Sequence, residues 1–348
     1  MPLKKLELKS GVNRENTRYT SEGGWYECDK IRFRQGTPEK IGGWQRISQS
    51  VFQGVCRSIW NWVTLGSQNL VGLGTNLKFY IENGGGYYDI TPLRKAAATL
   101  TNPFTTTSGS ATVTVTDATG GYIVGDFVTF SNASAVGGLT IDGEFQVVDL
   151  SSSTSYTITA SSNATSSATG GGTVTAAYQI NVGPAFAIPL VGWGASSWGS
   201  GTWGIGAESV EEVRQWSQAN FGEDLIFGPR GGTLFYWDAS ATNSLSVRGV
   251  ALSSVAGASN VPTIQNLTLV SDISRFVFCF GCNELGSSSL NTMLIRWSDQ
   301  EDATNWTPSA TNQSGDLILS NGTNIIAAKQ SRQEVLVWTD SALYALQY

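Results

Sequence analysis

Histidine is absent from all 348 residues. That excludes Ser-His-Asp and Cys-His catalysis, His-ligated metals and a histidine pH switch. Charge is scarce, at 14% Asp, Glu, Lys and Arg against about 25% in an ordinary soluble domain. The four cysteines, Cys28, Cys56, Cys279 and Cys282, are too few for a disulfide scaffold. Long apolar runs are lacking too. The longest, Ala185 to Val191, carries Pro189 and falls far short of the ~20 residues of a membrane span. The opening MPLKKLELKSG has no signal-peptide core. We expect a soluble chain, made without secretion-signal export and reduced during assembly, with no membrane partner and no cofactor.

Glycine, by contrast, is abundant: 40 residues, about 11% against a usual ~7%. The polar surface must be built from Ser, Thr, Asn and Gly, which favours short strands and tight turns. Residues 101–180 contain five acids but no Lys, Arg or Trp. Within them SATVTVTDA, DFVTFSNA, EFQVVDL, SYTITAS and GTVTAAYQI alternate apolar and polar residues with a period of two, as half-buried strands do. The pattern predicts an inserted β-sandwich or small barrel over 101–178, with excision expected to leave the remainder folded.

The flanking regions repeat a strand–turn–strand unit ending in aromatics: 70–82, 225–238, 276–299 and 335–347. Further strands precede them at 58–64 and 324–330. Repeats of about 40–50 residues built from four-stranded meanders predict β-propeller blades over 51–100 plus 179–348. Residues 1–50 read as an N-terminal docking arm with first strands. Helical signal is confined to Glu208–Asn220, a stretch that can equally open a blade. The expected fold is all-β: a β-propeller, incomplete in this chain, with an inserted small β-sandwich or barrel.

Four constellations are candidates for chemistry. Cys279-Phe280-Gly281-Cys282 has the spacing of half a zinc site or a redox pair. It sits in a strand without a second CxxC, so two packed side chains are expected. The loop 298–306 gathers Asp299, Glu301 and Asp302. Its oxygens suit calcium or a glycosidase acid–base pair, but Ser, Asp, Thr and Trp together favour a structural turn. Trp193, Trp198 and Trp203, each followed by Gly, would stack sugars, anchor a partner or fill a gap between domains. At the N-terminus, Arg14, Arg18, Trp25, Arg32 and Arg34 form the candidate interface. No catalytic residue and no firm metal ligand emerge.

The stretch GVNRENTRYTSEGGWYECDKIRFRQGTPEKIGGW, with RWSDQEDATNWTP and DLILSNGTNIIAAKQSRQEVLVWTDSALYALQY, resembles the tail nozzle, or packaged-DNA stabilisation, proteins of short-tailed bacteriophages. The 109–133 region resembles small β domains inserted in phage tail proteins. The resemblance implies a non-enzymatic virion tail protein, assembled in the host bacterial cytoplasm as a homo-oligomeric ring, usually a hexamer. Its partners would be a portal or adaptor protein, tail fibres, and genomic DNA that passes without specific binding. A net charge of −6 suits a conduit that does not hold phosphates, with Glu223, Asp224, Asp299, Glu301 and Asp302 as the expected exposed acids. Family chains run on beyond this sequence, which implies a fragment; closure of the last blade by a neighbouring chain or by residues 1–60 is the other expectation. Two rivals stand beside this reading: a carbohydrate-binding propeller that recognises host surface glycan through the Trp-Gly loop, and a glycan hydrolase built on Asp299, Glu301 and Asp302.

Overall fold

The computed structural model describes residues 8–15, 17–20, 23–43, 45–46, 48–94, 96–182 and 215–347. The chain divides into two units, Met1–Gln49 and Ser50–Tyr348. The described residues are all-β, apart from two single 3₁₀ turns at Ser244–Ser246 and Leu252–Ser254.

In the first unit, β1 (Ile31–Arg34) and β2 (Thr37–Lys40) form a hairpin. Its two-residue turn places Gln35 at φ 49° and Gly36 at φ 79°, the left-handed pair that matches strand twist in a tight hairpin. Trp25 meets Phe33 edge-on at 6.0 Å.

The second unit opens with a meander of β3 (Cys56–Val63), β4 (Asn69–Thr75), β5 (Phe79–Asn83) and β6 (Gly86–Asp89). Nine strands follow: β7 (Ala98–Thr101), β8 (Phe104–Thr106), β9 (Thr112–Thr116), β10 (Phe127–Ser131), β11 (Gly143–Gln146), β12 (Asp149–Ser152), β13 (Ser155–Thr159), β14 (Ala168–Gly170) and β15 (Thr173–Tyr178). They form two sheets, ordered β11-β10-β15-β7 and β12-β13-β9-β8-β14. One core, with Phe104, Val113, Phe130, Tyr156, Ile158 and Val174 at or below 1% exposure, lies between them. EFQVVDL supplies strands to both sheets: β11 and β12 flank Val147, which is 1% exposed.

Three more meanders follow among the described residues. The second is β16 (Trp216–Phe221), β17 (Asp224–Pro229), β18 (Phe235–Trp237) and β19 (Val250–Ala251). The third is β20 (Gln265–Val270), β21 (Val277–Asn283), β22 (Leu290–Trp297) and β23 (Gly315–Ile318). The fourth has three strands, β24 (Ile325–Gln330), β25 (Val335–Thr339) and β26 (Leu343–Leu346). The four apolar repeats seen in the sequence are the middle pairs of these sheets, or in the fourth sheet its last pair. The described part of the weak helical stretch is β16: its side chains at 216–219 are buried, and packing overrides a modest helix propensity.

Consecutive sheets pack face to face, in the manner of propeller blades. The first and second share Phe79, Trp216 and Phe227, with ring centroids 4.9 Å apart for Phe79–Trp216 and 4.3 Å for Phe79–Phe227. The second and third share Ile226, Leu252, Leu294 and Trp306. The third and fourth share Phe280, Ile295, Val335 and Val337. The first interface needs glycine at two places in β4: a methyl at Gly74 would collide with the Trp216 ring, and one at Gly72 with the Gln218 side chain.

Candidate functional site

The first strands of all four meanders line one cavity of about 280 Å³. Trp60 of β3 forms part of its wall, with its indole N–H donating to Asn220 Oδ1 at 3.2 Å. Lys329 of β24 places its ammonium 5.8 Å from the centre of the Trp60 ring. Gln218 Nε2 donates to Ser58 Oγ at 2.6 Å, and the backbone N–H of Asp272 donates to Gln330 Oε1 at 2.9 Å. Thr268 of β20 is also in the wall. This convergence was invisible in the sequence, because its residues come from strands up to about 270 positions apart. Only the blade periodicity pointed at it: first strands of successive blades gather at the axis.

The 298–306 loop is a turn that hydrogen-bonds to itself. Asp302 Oδ1 accepts from Thr304 N at 2.8 Å and from Thr304 Oγ1 at 2.6 Å. Asp299 Oδ1 accepts from Gln300 N at 2.8 Å and Gln313 N at 2.9 Å. Buried beneath them, Trp306 donates its indole N–H to Ala303 O at 2.8 Å. Glu301 sits at φ 57° and is exposed. Among the described residues no three acidic or thiol groups converge as a metal would require.

Of the five acids expected at the surface, Glu301 alone is exposed; Glu223, Asp224, Asp299 and Asp302 are half-buried. Tyr236 donates its hydroxyl to Asp224 Oδ2 at 2.5 Å, and Ala239 N donates to Oδ1 at 2.9 Å. Burial raises the Asp224 carboxyl above its ordinary value, and those two bonds only partly oppose the shift. Glu223 accepts from the backbone N–H of Leu65. Folding brings Asp224 and Glu223 against backbone donors 15 and 158 positions away, which charge counting along a sequence does not reveal.

Cys279 and Cys282 are free thiols with no exposure. A bulge between Phe280 and Cys282, with Gly281 at φ 61°, turns both into the same core. Burial pushes Cys282 up to about 12 and Cys279 well above its ordinary value, so neither is a ready nucleophile.

At the N-terminus, Arg14 and Arg18 hold their guanidinium groups 5.7 and 5.0 Å from the centre of the Tyr26 ring. Both pair with Glu27, at 3.6 and 3.3 Å. Arg32 pairs with Glu39 across the hairpin at 3.1 Å. Arg34 is exposed on β1, and Trp25 is half-buried with its indole N–H unpartnered among the described residues. Trp193, Trp198 and Trp203 lie outside the described residues.

Sequence reasoning missed the ionic junction that ties the nine-stranded insertion to the blades. Lys78, 4% exposed in its side chain, donates to Asp89 Oδ2 at 2.9 Å and to Glu144 Oε2 at 2.5 Å. Arg248, from the second meander, reaches Asp89 Oδ2 at 3.3 Å and Thr91 O at 2.7 Å. Gln179 Nε2 bridges Asp89 and Glu144 at 3.3 and 2.8 Å. Burial opposes ionisation of Asp89, but Arg248, Lys78 and the Thr91 hydroxyl outweigh it and hold its carboxyl below the usual range. Nearby, Arg94 donates to the buried Asp126 at 2.9 Å. The insertion is thus joined to its surroundings by charge and hydrogen bonds, and residues 50–348 form one compact unit.

No family model and no curated protein matches the chain. Among solved structures the chain is similar to a phage phi92 endosialidase, at 13% identity over 86% of this chain and 43% of that one, with a TM-score of 0.23. It thus spans less than half of that structure's length. A likeness at that level transfers neither fold nor activity. Among the described residues no helix is long and apolar enough to cross a membrane.

Proposed function

We propose that this chain is a non-enzymatic structural subunit of a short-tailed phage tail, the nozzle that retains packaged DNA and forms the tail conduit. The observation that carries the non-enzymatic part is the state of the acidic loop. Asp302 directs its Oδ1 into its own turn, and Asp299 Oδ1 accepts from Gln300 N and from Gln313 N of the following segment, so the loop with the most carboxylates serves as a brace beneath which Trp306 packs. The nozzle part rests on the resemblance of residues 11–44, 296–308 and 316–348 to that family. In this reading the chain forms a homo-oligomeric ring, a hexamer, that meets a portal or adaptor protein on one side and tail fibres on the other. DNA passes through without specific binding, which the net charge of −6 favours by repelling phosphates. Imaging of intact particles carrying a labelled subunit tests it. Density for the label in a ring at the tail tip is the expected result; label absent from particles, or scattered over the capsid, overturns the assignment.

A further inference from the structure

The cavity lined by the four first strands has a chemistry of its own, independent of the nozzle reading. We propose that it is a binding site for one neutral sugar ring. Its volume, about 280 Å³, lies just under the ~300–1,000 Å³ of pockets that take drug-sized ligands. A single hexose suits that size; an oligosaccharide does not.

The polar groups of the wall fall into two sets. The first bonds within the wall, the Gln218 amide nitrogen to Ser58 and Asn220 Oδ1 to the Trp60 indole, while Gln218 Oε1 and Ser217 Oγ are buried without a partner among the described residues. The second is uncommitted among the described residues. The Lys329 ammonium makes no ion pair and only hovers over the Trp60 ring. The Asp272 carboxylate and the Gln330 amide nitrogen are likewise free of hydrogen-bonded partners, although Asp272 N and Gln330 Oε1 bond each other. An ammonium, a carboxylate and an amide N–H₂ therefore border one cavity without satisfying one another.

Vicinal hydroxyls on a sugar ring can donate to the carboxylate while accepting from the ammonium and the amide, which no apolar ligand can do. The aliphatic face of the ring has a partner in the half-buried indole of Trp60, whose negative π-face attracts polarised C–H groups. The flexible stem of Lys329 lets its ammonium swing from the indole to a hydroxyl. Charge selects the sugar class. Among the described residues Lys329 and Asp272 are the only charged ones lining the cavity, and they cancel, so neither an acidic nor an amino sugar gains net charge complementarity over a neutral one.

The test uses the full chain, monitored by saturation-transfer NMR and by tryptophan fluorescence. The probes are glucose, galactose, mannose and N-acetylglucosamine, with glucuronate and glucosamine as charged controls. At least one neutral sugar should bind saturably at about millimolar Kd. Lys329→Met and Asp272→Asn should each weaken that binding at least fivefold. Both positions are exposed, so their thermal unfolding should match the parent, which separates loss of a contact from loss of fold. Failure of every neutral sugar to bind at about 50 mM overturns the proposal. So does unchanged affinity in both variants, or tighter binding of glucuronate or glucosamine than of every neutral sugar.

Discussion

Replacing Lys78 by Met tests whether the ionic junction holds the insertion in place. The substitution keeps the length of the side chain and removes only the ammonium. In the parent, that ammonium lies 2.9 Å from Asp89 and 2.5 Å from Glu144, and the Lys78 side chain is 4% exposed. Without it, two carboxylates face each other with Arg248, Gln179 and Thr91 as their remaining partners. Removing one member of a buried ion pair costs about 3–5 kcal/mol. Asp89 and Glu144 are 21% and 25% exposed, so water reaches them in part and the low end, about 3 kcal/mol, applies. For a unit of this size that corresponds to a fall in Tm of roughly 6 °C. The pH dependence provides a second readout. The folded pKa of Asp89 is lowered, so its contribution to stability is present above the unfolded value of about 3.9 and is lost as pH falls through the folded value. The Lys78→Met deficit should therefore be full at neutral pH and begin to shrink as pH falls below about 4, as Asp89 moves toward its lowered folded value and protonates. Denaturant unfolding at pH 7 and pH 3.5 measures both quantities, and adding Glu144→Gln should recover part of the loss. A deficit under about 1 kcal/mol at pH 7, or one that does not change with pH, would show that the junction acts as a solvated surface pair and refute the reasoning.

Further outcomes follow from other sites. Asp302→Ala removes the acceptor of two Thr304 donors and should destabilise by about 1–3 kcal/mol, while millimolar calcium should leave the parent Tm unchanged; calcium-dependent stabilisation of the parent, abolished in the variant, would assign the loop to metal binding. In the native protein a thiol reagent should modify Cys28 and Cys56, both half-buried, while Cys279 and Cys282 react only after unfolding; rapid labelling of four thiols would contradict the burial described. Gly74→Ala should cost about 1–3 kcal/mol by driving a methyl into Trp216, measurable as a shift in denaturant midpoint, and a neutral result would mean that the first and second meanders are not so closely apposed.

The sequence by itself determined the elements and their class. Alternation in TVTVT, FVTFS and SYTIT marks β9, β10 and β13, because side chains on a strand point to opposite faces in turn. The apolar pairs at 70–82, 225–238 and 276–299 mark the inner strands of meanders, because a strand covered on both faces has no position left for polar residues. The Ser-Asp-Thr-Trp turn at 298–306 was legible for a related reason: the bonds of Asp302 to Thr304 and of Trp306 to Ala303 run between residues two or three apart. The tertiary structure decided what meets across long separations. Lys78 finds Glu144 66 residues away, and Arg248 finds Asp89 159 residues away. Trp60 shares a cavity with Lys329 from the opposite end of the unit. Which of several similar acids is left in water, and which is drawn against backbone donors, was settled there as well, as with exposed Glu301 beside half-buried Asp302. Periodicity records which face of a strand is buried. Which chain segment does the burying depends on how whole sheets stack, and no local pattern carries that.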